Sequence, residues 1–212
     1  MRPRLLDLFS GAGGAAMGYQ RAGFDVVGVD IKPQPHYPFE FHQDDALALL
    51  ASPYSPVGDF DVIHASPPCQ GYSRLRHLPW LAGKTYPLLI DAVRGALSLT
   101  GLPWVIENVE DAPMPYSTVL CAQTFGLALY RHRRFGSSHL LLAPPHERHR
   151  QVIAGGRMLA GRGRVATWER TSRLPEVMEC GWMTQKEVAQ AIPPAYTEWI
   201  GGQLLAAIGV AS

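Results

Sequence analysis

The residues with the clearest chemical potential stand at the ends of short apolar segments. Cys69 lies in a Ser-Pro-Pro-Cys-Gln sequence at residues 66–70, directly after the apolar run 60–65. The two prolines fix the backbone that presents its thiol. A thiolate attacks polarised ring carbons, and nearby arginines favour its ionisation. Glu107 ends a second apolar run, and a carboxylic acid whose pKa burial has raised can donate a proton to a ring nitrogen.

A glycine-rich turn is the second feature. The apolar run 5–9 ends in Ser-Gly-Ala-Gly-Gly at residues 10–14, and a helical pattern over 15–22 follows. Glycine permits positive φ and lets a ligand approach the backbone, so such a turn between a strand and a helix forms a nucleotide cradle. Asp30 ends the next apolar run, 19 residues after Gly11, where an acidic residue commonly binds ribose hydroxyls. The turn lacks the third glycine of the dinucleotide pattern.

Arginines form the third feature. Arg131 and Arg133 alternate on a short segment, and alternate residues of a strand point to one face, so both are expected to converge on one site. From residue 131 to residue 173 the chain carries ten arginines and two glutamates, a local charge of +8 in a protein of net charge +1. Such a concentrated positive segment predicts an anionic partner, and nucleic acid is the leading candidate.

The elements that must position these groups alternate along the chain. Strands are predicted at residues 5–9, 25–30, 60–65 and 104–107, and helices at 15–22, 88–99 and 195–208. Strand, glycine turn, helix and strand form a βαβ unit. The alternation predicts an α/β fold with a mostly parallel sheet and helices on both faces. Residues 136–180 are rich in glycine and arginine and are expected to form a small insert.

Composition narrows the classes of protein. The 212 residues, 47% of them hydrophobic, suffice for one domain with a substantial core. No stretch has the apolar length of a membrane span, and the first residues lack the core of a signal peptide. Three scattered cysteines are too few for a disulfide framework. A cytoplasmic protein without a membrane partner is therefore expected.

Taken in order, these motifs resemble those of the cytosine-C5 DNA methyltransferase family, over roughly residues 4–135 and 181–209. Residues 7–14 are similar to its opening motif, which binds S-adenosylmethionine, and residues 67–70 to its Pro-Cys motif. Glu107-Asn108-Val109 resembles its Glu-Asn-Val motif, and Arg131-x-Arg133 its paired arginines. Pro193-Pro194 with Ile200-Gly201 looks like its terminal motif. The resemblance implies a Rossmann-like methyltransferase domain at 1–135 and 181–212, with a reduced target-recognition insert at 136–180.

The resemblance also implies a covalent mechanism. Cys69 would attack carbon 6 of a cytosine, while Glu107 contacts the exocyclic amine and ring N3. Carbon 5 would then take the methyl group of S-adenosylmethionine, after which a base removes the carbon-5 proton and Cys69 leaves. Arg133, with Arg131, would hold the pyrimidine O2 and the nearby backbone. The target must leave the duplex stack to reach the thiolate, as it does in methyltransferases that act on a base within a duplex.

The cofactor site is expected around the glycine turn. By the resemblance, Asp30 would bind the ribose, and Asp44 or Asp45 would bind the adenine amine, with Asp45 favoured. The residues expected to contact S-adenosylmethionine are Phe9, Ser10, Gly11, Ala12, Gly13, Gly14, Asp30, Ile31, Asp44, Asp45, Pro67 and Leu88.

Three departures from the family pattern stand out. Leu129 occupies the position of the glutamine that precedes the arginines, and Ala189-Gln190 replaces Gly-Asn before the terminal prolines. The recognition region has only about 45 residues, which is below the usual size of an independent domain. Phosphate contacts would give it affinity without sequence information, so a short or relaxed recognition sequence is expected. The residues expected to bind nucleic acid are Arg74, Arg76, Arg148, Arg150, Arg157, Arg162 and Arg164.

Histidines offer one further possibility. His139, His146 and His149 could be combined with Cys180 as zinc ligands, but their spacing fits no common zinc pattern. No metal is therefore expected.

Other functions are compatible with the sequence. An RNA cytosine-C5 methyltransferase is one, because a tRNA-methylating branch of the family shares the catalytic core and has a reduced recognition region. An inactive nucleic-acid-binding relative is another, although the presence of Cys69, Glu107 and the glycine turn opposes it. Restriction-modification, phage self-protection in an infected bacterium and an orphan epigenetic role all fit this pattern. A monomer is favoured, and the oligomeric state stays open.

Overall fold

The structure is a computed structural model that describes residues 1–73, 79, 83–146, 149 and 173–209. The predicted nucleic-acid contacts lie outside the described residues, and these are Arg74, Arg76, Arg148, Arg150, Arg157, Arg162 and Arg164.

Strands and helices alternate through most of the described chain. The strands are β1 Arg4–Leu8, β2 Asp25–Asp30, β3 Glu40–Gln43, β4 Val62–Ala65, β5 Trp104–Val109, β6 Ser117–Cys121 and β7 His132–Ser137. The α-helices are α1 Gly14–Ala22, α2 Ala46–Ala51, α3 Ile90–Leu99, α4 Leu174–Val177, α5 Gln185–Gln190 and α6 Pro194–Ala207.

The strands form a sheet of order β3-β2-β1-β4-β5-β7-β6. Neighbours from β3 to β5 are parallel, whereas β7 is antiparallel to both β5 and β6. This is the predicted α/β fold with a mostly parallel sheet. From β1 the chain adds strands β2 and β3 on one side, and from β4 it adds β5 on the other side. The order of the strands therefore reverses between β1 and β4. Open α/β sheets bind ligands in the crevice at the carboxyl ends of such neighbouring strands.

Helices cover both faces of the sheet. Helices α1 and α6 pack with side chains such as Leu5 and Val62 on one face. Helices α2 and α3 pack with Leu6 and Ile63 on the other, as the alternation of side chains along a strand requires. Gly18 of α1 lies so close to the start of α6 that a Cβ atom there would collide with the Pro194 carbonyl oxygen. The terminal helix is therefore held directly behind the glycine turn.

The predicted elements fit the structure within a few residues, and short elements were missed. Strands β3 and β6 and helices α2, α4 and α5 were not predicted from the sequence. The expected insert at 136–180 also differs at its end, because Leu174, Met178 and Cys180 are buried in the main hydrophobic core. None of the described helices has the length and apolar character that a bilayer-spanning helix needs.

Candidate active site

The turn after β1 has backbone conformations that glycine favours. Gly11 and Gly13 have φ values of 50° and 84°, and Phe9 also has positive φ, at 57°. Gly13 is the N-terminal cap of α1, and a Cβ atom on Gly14 would lie 2.5 Å from the Ile192 carbonyl oxygen. The turn is thus packed tightly on its inner side, and only small residues fit there.

The outer side of the same turn fits a polar ligand. A Cβ atom on Gly11 would meet nothing within 4 Å. The Ser10 hydroxyl is buried, yet it has no hydrogen-bond partner among the described residues. Asp30 lies beside the turn, because its Oδ2 accepts a 3.0 Å hydrogen bond from the Gly11 N–H. An open glycine face, an unpaired buried hydroxyl and an adjacent carboxylate match the needs of a nucleoside-containing cofactor.

The outer cofactor candidates are exposed or cap a helix. Ile31 and Leu88 are 61% and 62% exposed, unusually high values for large apolar side chains. Asp45 caps α2, since its Oδ1 accepts from the N–H groups of the first turn. Oδ1 of Asp44 accepts from the Asp45 N–H at 2.7 Å. Either aspartate would therefore use its second oxygen towards an adenine amine.

The loop that carries Cys69 starts beside the glycine turn. The Ser66 N–H donates to the Leu8 carbonyl at 3.1 Å, so the ends of β4 and β1 are joined at the switch point. Asn108 is fully buried, and its Nδ2 donates to the Pro67 carbonyl at 2.9 Å. The Cys69 carbonyl accepts from the N–H groups of residues 72 and 73. The Glu-Asn-Val strand end therefore fixes the loop that presents the thiol.

Glu107 is positioned from two sides. Its Oε1 lies 2.9 Å from Nε of Arg133, and both residues are mostly buried. The Ser66 hydroxyl also hydrogen-bonds to the Glu107 carboxyl group. Ser66 in turn contacts Nε2 of His64 at 2.8 Å, and Nδ1 of His64 lies 2.9 Å from the Tyr19 hydroxyl. A buried hydrogen-bond chain thus runs from α1 through β4 to the carboxyl group.

The electrostatics of the thiol and the carboxyl group are coupled. Burial raises the pKa of Cys69, the negative charge of Glu107 raises it further, and Arg133 and Arg131 lower it. The arginines act in the expected direction, but burial and Glu107 outweigh them. Burial also raises the pKa of Glu107, against the opposing charge of Arg133 and the Ser66 hydrogen bond. A protonated Glu107 would therefore remove one of the two causes that oppose thiolate formation.

Arg131 differs from the sequence prediction. Its guanidinium donates to the carbonyl oxygens of Val188, Ala189 and Ala191, at the C-terminal end of α5. The last carbonyl groups of a helix lack partners within the helix, and a cation there is stabilised. Nη1 and Nη2 of Arg131 thus bind the terminal segment rather than Glu107. Arg133 is the arginine that pairs with Glu107.

Several residues at the site escaped the sequence analysis. Tyr19, His64 and Ser66 form the hydrogen-bond chain described above, and Asn108 anchors the thiol loop. Trp182 donates from Nε1 to the Ala12 carbonyl at 2.9 Å, which ties the segment after α4 to the glycine turn. His64 had a signal in the sequence, because it is a polar residue inside the apolar run 60–65. A buried polar side chain usually has a hydrogen-bond partner. Leu129, at the position of the family glutamine, is fully buried in the core.

The glycine turn and Cys69 thus lie together at the carboxyl ends of the central strands, as in an α/β enzyme. Comparisons with known proteins identify the family. The profile of the C-5 cytosine-specific DNA methylase family matches residues 3–115, just over half of the chain. The chain therefore belongs to this family.

Individual relatives agree with this assignment. The chain is 29% identical over 147 residues to type II methyltransferase M.XorII of Xanthomonas oryzae pv. oryzae, covering 63% of this chain and 31% of that protein. It is 30% identical over 122 residues to type II methyltransferase M.HgiGI of Herpetosiphon aurantiacus, covering 51% of this chain and 92% of that protein. The chain thus spans about a third of the first relative.

Solved structures support the fold alone. The S. pombe Dnmt2 methyltransferase superposes with a TM-score of 0.57 and 12% identity, over 99% of this chain and 100% of that chain. The methyltransferase EhMeth of Entamoeba histolytica gives a TM-score of 0.56 and 10% identity, over 98% and 99% of the two chains.

Proposed function

We propose that this protein methylates carbon 5 of cytosine in DNA through a covalent bond between Cys69 and carbon 6. The observation that carries the proposal is that the glycine turn, the Cys69 loop and the Glu107 strand end are in contact at the carboxyl ends of the central strands. The Cys69 loop is joined to the cofactor turn by the Ser66–Leu8 hydrogen bond and to the Glu107 strand by the Asn108–Pro67 hydrogen bond. A nucleophile, an acid and a cofactor turn in such contact suit group transfer to a ring.

The cofactor proposed is S-adenosylmethionine, which supplies an electrophilic methyl group when it is bound. Ser10 and Gly11 would hold its methionine portion, and Asp30 its ribose hydroxyls. Phe9 and Ile31 would contact its adenosine portion, with Asp45 accepting from the adenine amine. Burial of the Ser10 hydroxyl without a partner among the described residues supports this placement.

Glu107 and Cys69 would act as a pair on the flipped cytosine. With its raised pKa, Glu107 can hold a proton and donate it to ring N3, which draws electrons from carbon 6. Before that transfer Glu107 is neutral and does not oppose ionisation of Cys69, which releases its proton to solvent; the thiolate bonds to carbon 6 as Glu107 donates to ring N3. The electron pair of the C5–C6 double bond becomes available at carbon 5 for the new bond to the methyl group. A base removes the carbon-5 proton, that electron pair re-forms the double bond as the thiolate leaves, and ring N3 returns its proton to Glu107.

Arg133 would orient the acid and contact the pyrimidine O2. Its Nε–Oε1 contact fixes the Glu107 carboxyl group, and the remaining guanidinium N–H groups give it donors for a ring oxygen. Arg131 would instead position α5 and the terminal segment, as its carbonyl contacts indicate. DNA is favoured over RNA because the matching family profile is that of a DNA methylase. A small recognition insert at 136–180 would give a short or relaxed recognition sequence.

Mechanism-based trapping tests the proposal. A 5-fluorocytosine base accepts the thiolate and the methyl group but has no carbon-5 proton to lose, so the protein stays attached. With S-adenosylmethionine present, we expect a denaturant-resistant adduct with fluorocytosine DNA and none with matched fluorocytosine RNA. The Cys69→Ala variant should lose the adduct, whereas the Cys180→Ala control, altered at a fully buried cysteine, should keep it.

Each other outcome has a distinct meaning. An adduct with RNA only would replace the proposed substrate. No adduct with either nucleic acid, from protein that binds the cofactor, would contradict the enzymatic proposal and favour an inactive binding protein.

A further inference from the structure

A second cluster of reactive side chains lies at the outer edge of the sheet. Cys121 ends β6 and His132 begins β7, and the two residues are direct partners in the antiparallel ladder. His146 and His149 come from the segment that follows β7. One ligand atom from each of the four residues lies within 4.8 Å of the others. Side chains from β6, β7 and the following segment are thus gathered at one point.

Two distances within the cluster match the edges of a tetrahedral zinc site. Zn–N distances of about 2.05 Å and a Zn–S distance of about 2.3 Å separate two nitrogens by about 3.3 Å and a nitrogen from sulfur by about 3.6 Å. Nε2 of His132 lies 3.1 Å from Nε2 of His146, and Sγ of Cys121 lies 3.4 Å from Nε2 of His149. The remaining pairs lie within 4.8 Å of one another, so an ion would draw the two halves of the cluster together.

A carboxylate stands behind one of the four residues. Nδ1 of His132 is buried without a hydrogen-bond partner in the described part of the chain, and it faces Oε2 of Glu110 at 3.8 Å. A metal-binding histidine usually donates its second N–H to a carboxylate or a carbonyl group, which fixes the ring and strengthens the ligand. Glu110 is placed for that role, which leaves Nε2 of His132 for the ion.

We propose that Cys121, His132, His146 and His149 bind a zinc ion. One thiolate and three imidazoles are ligands that zinc prefers, and four protein ligands make a closed, structural site rather than a catalytic one. The sequence analysis expected no metal and considered His139 and Cys180 in place of Cys121 and His132. The ladder pairing of β6 with β7 brings the latter two together across ten intervening residues. No sequence spacing rule would indicate that contact.

The proposed ion would link the start of the recognition insert to β7, the strand that carries Arg133. His146 and His149 precede the arginine-rich residues 150–173, and His132 is adjacent on β7 to Arg133, the partner of Glu107. A link at this point would fix where the recognition segment leaves the catalytic domain. It would do so without touching the reacting atoms, and it does not depend on the proposed methyl transfer.

Metal analysis of the full-length untagged chain tests the proposal. After removal of loosely bound ions, we expect one zinc per chain by plasma mass spectrometry. Reconstitution with cobalt should give the visible bands of tetrahedral Co²⁺ and a thiolate-to-cobalt charge-transfer band. The double variant His146→Ala/His149→Ala, altered at two exposed side chains, should lose the zinc, and the exposed control His139→Ala should keep it.

Two further variants separate a real site from chance contacts. Cys121→Ser should abolish the thiolate-to-cobalt band. Glu110→Gln should weaken zinc binding by about 10–100-fold, as loss of a carboxylate behind a metal-binding histidine typically does, whereas Glu40→Gln on the opposite edge strand should not change it. Wild-type protein without zinc that also gives no tetrahedral cobalt spectrum would overturn the proposal. Equal zinc content in the double variant and the wild type would overturn it as well.

Discussion

The buried carboxyl group of Asp7 allows a quantitative test of the electrostatics beneath the glycine turn. Its side chain is fully buried in β1, beneath the glycine turn, and the Tyr37 hydroxyl donates to its Oδ2 at a long 3.4 Å. Its Oδ1 has no hydrogen-bond partner among the described residues. Burial raises the pKa of this carboxyl group from 3.8 to about 8, against the Tyr37 hydrogen bond and with a further increase from Asp30. Between these two pH values Asp7 is therefore protonated in the folded chain and ionised in the unfolded chain.

The sign and size of the effect follow from proton linkage. Between about pH 4 and pH 8 the folded state binds more protons at Asp7 than the unfolded state, so the free energy of unfolding falls as the pH rises. The slope from one such group is about 1.4 kcal/mol per pH unit. The Asp7→Asn variant lacks this term. Its stability relative to the wild type should therefore increase by about 3 kcal/mol from about pH 5 to about pH 7.

Urea unfolding of both proteins at several pH values measures this difference. Contributions from other titrating groups cancel between the two proteins, and any constant effect of the asparagine does not change the slope. Asp25→Asn, at an exposed position in the neighbouring strand, is the control. A difference between Asp7→Asn and wild type that stays flat across this pH range would refute the reasoning, because it would mean that Asp7 is ionised in the folded protein.

Three further substitutions test other parts of the structure. Glu107→Gln should reduce methyl transfer by about 10²-fold or more, yet it should speed alkylation of Cys69 by iodoacetamide at alkaline pH, where the wild-type Glu107 is ionised and its charge raises the pKa of the thiol. Asn108→Ala should lower the free energy of unfolding by about 1–3 kcal/mol, because it leaves a buried carbonyl group without its donor. Gly18→Ala should destabilise by more than ~1 kcal/mol through collision with α6. Its control in α3, Gly95→Ala, should stabilise by about 0.5–1 kcal/mol, since its new Cβ meets nothing within 4 Å. Denaturant unfolding measures the last three effects.

The sequence predicted the parallel part of the sheet because those strands are short, apolar and separated by amphipathic helices. β2 at Asp25–Asp30 was predicted at its observed bounds. β3 and β6 escaped because they carry mostly exposed or half-buried residues, which weakens the apolar pattern of an edge strand. The burial of Leu174 and Met178, near the end of the expected insert, was not predictable because it depends on distant packing partners.

The candidate site was predictable in its motifs but not in its connections. Cys69, Glu107 and the glycine turn were indicated by residue type at strand ends, where α/β proteins place ligands. The direction in which Arg131 points was not, because strand alternation places its side chain on a face but does not tell which acceptor is nearest. Carbonyl groups at the end of α5, 57–60 residues away in sequence, bind that side chain. Periodicity carries no information on such a contact.

Ser66 shows why the polar interior and the chemistry belong together. A glycine at this position would leave both Nε2 of His64 and the Glu107 carboxyl group without a hydroxyl partner. Burial lowers the pKa of His64 to about 3, so the ring stays neutral and adds no charge beside Glu107. A neutral relay that ends on the carboxyl group fixes its orientation without ionising it, whereas a cation there would lower the pKa of Glu107. The hydrogen-bond chain from Tyr19 therefore orients the acid, while burial, which outweighs the Ser66 hydrogen bond, raises the pKa of Glu107.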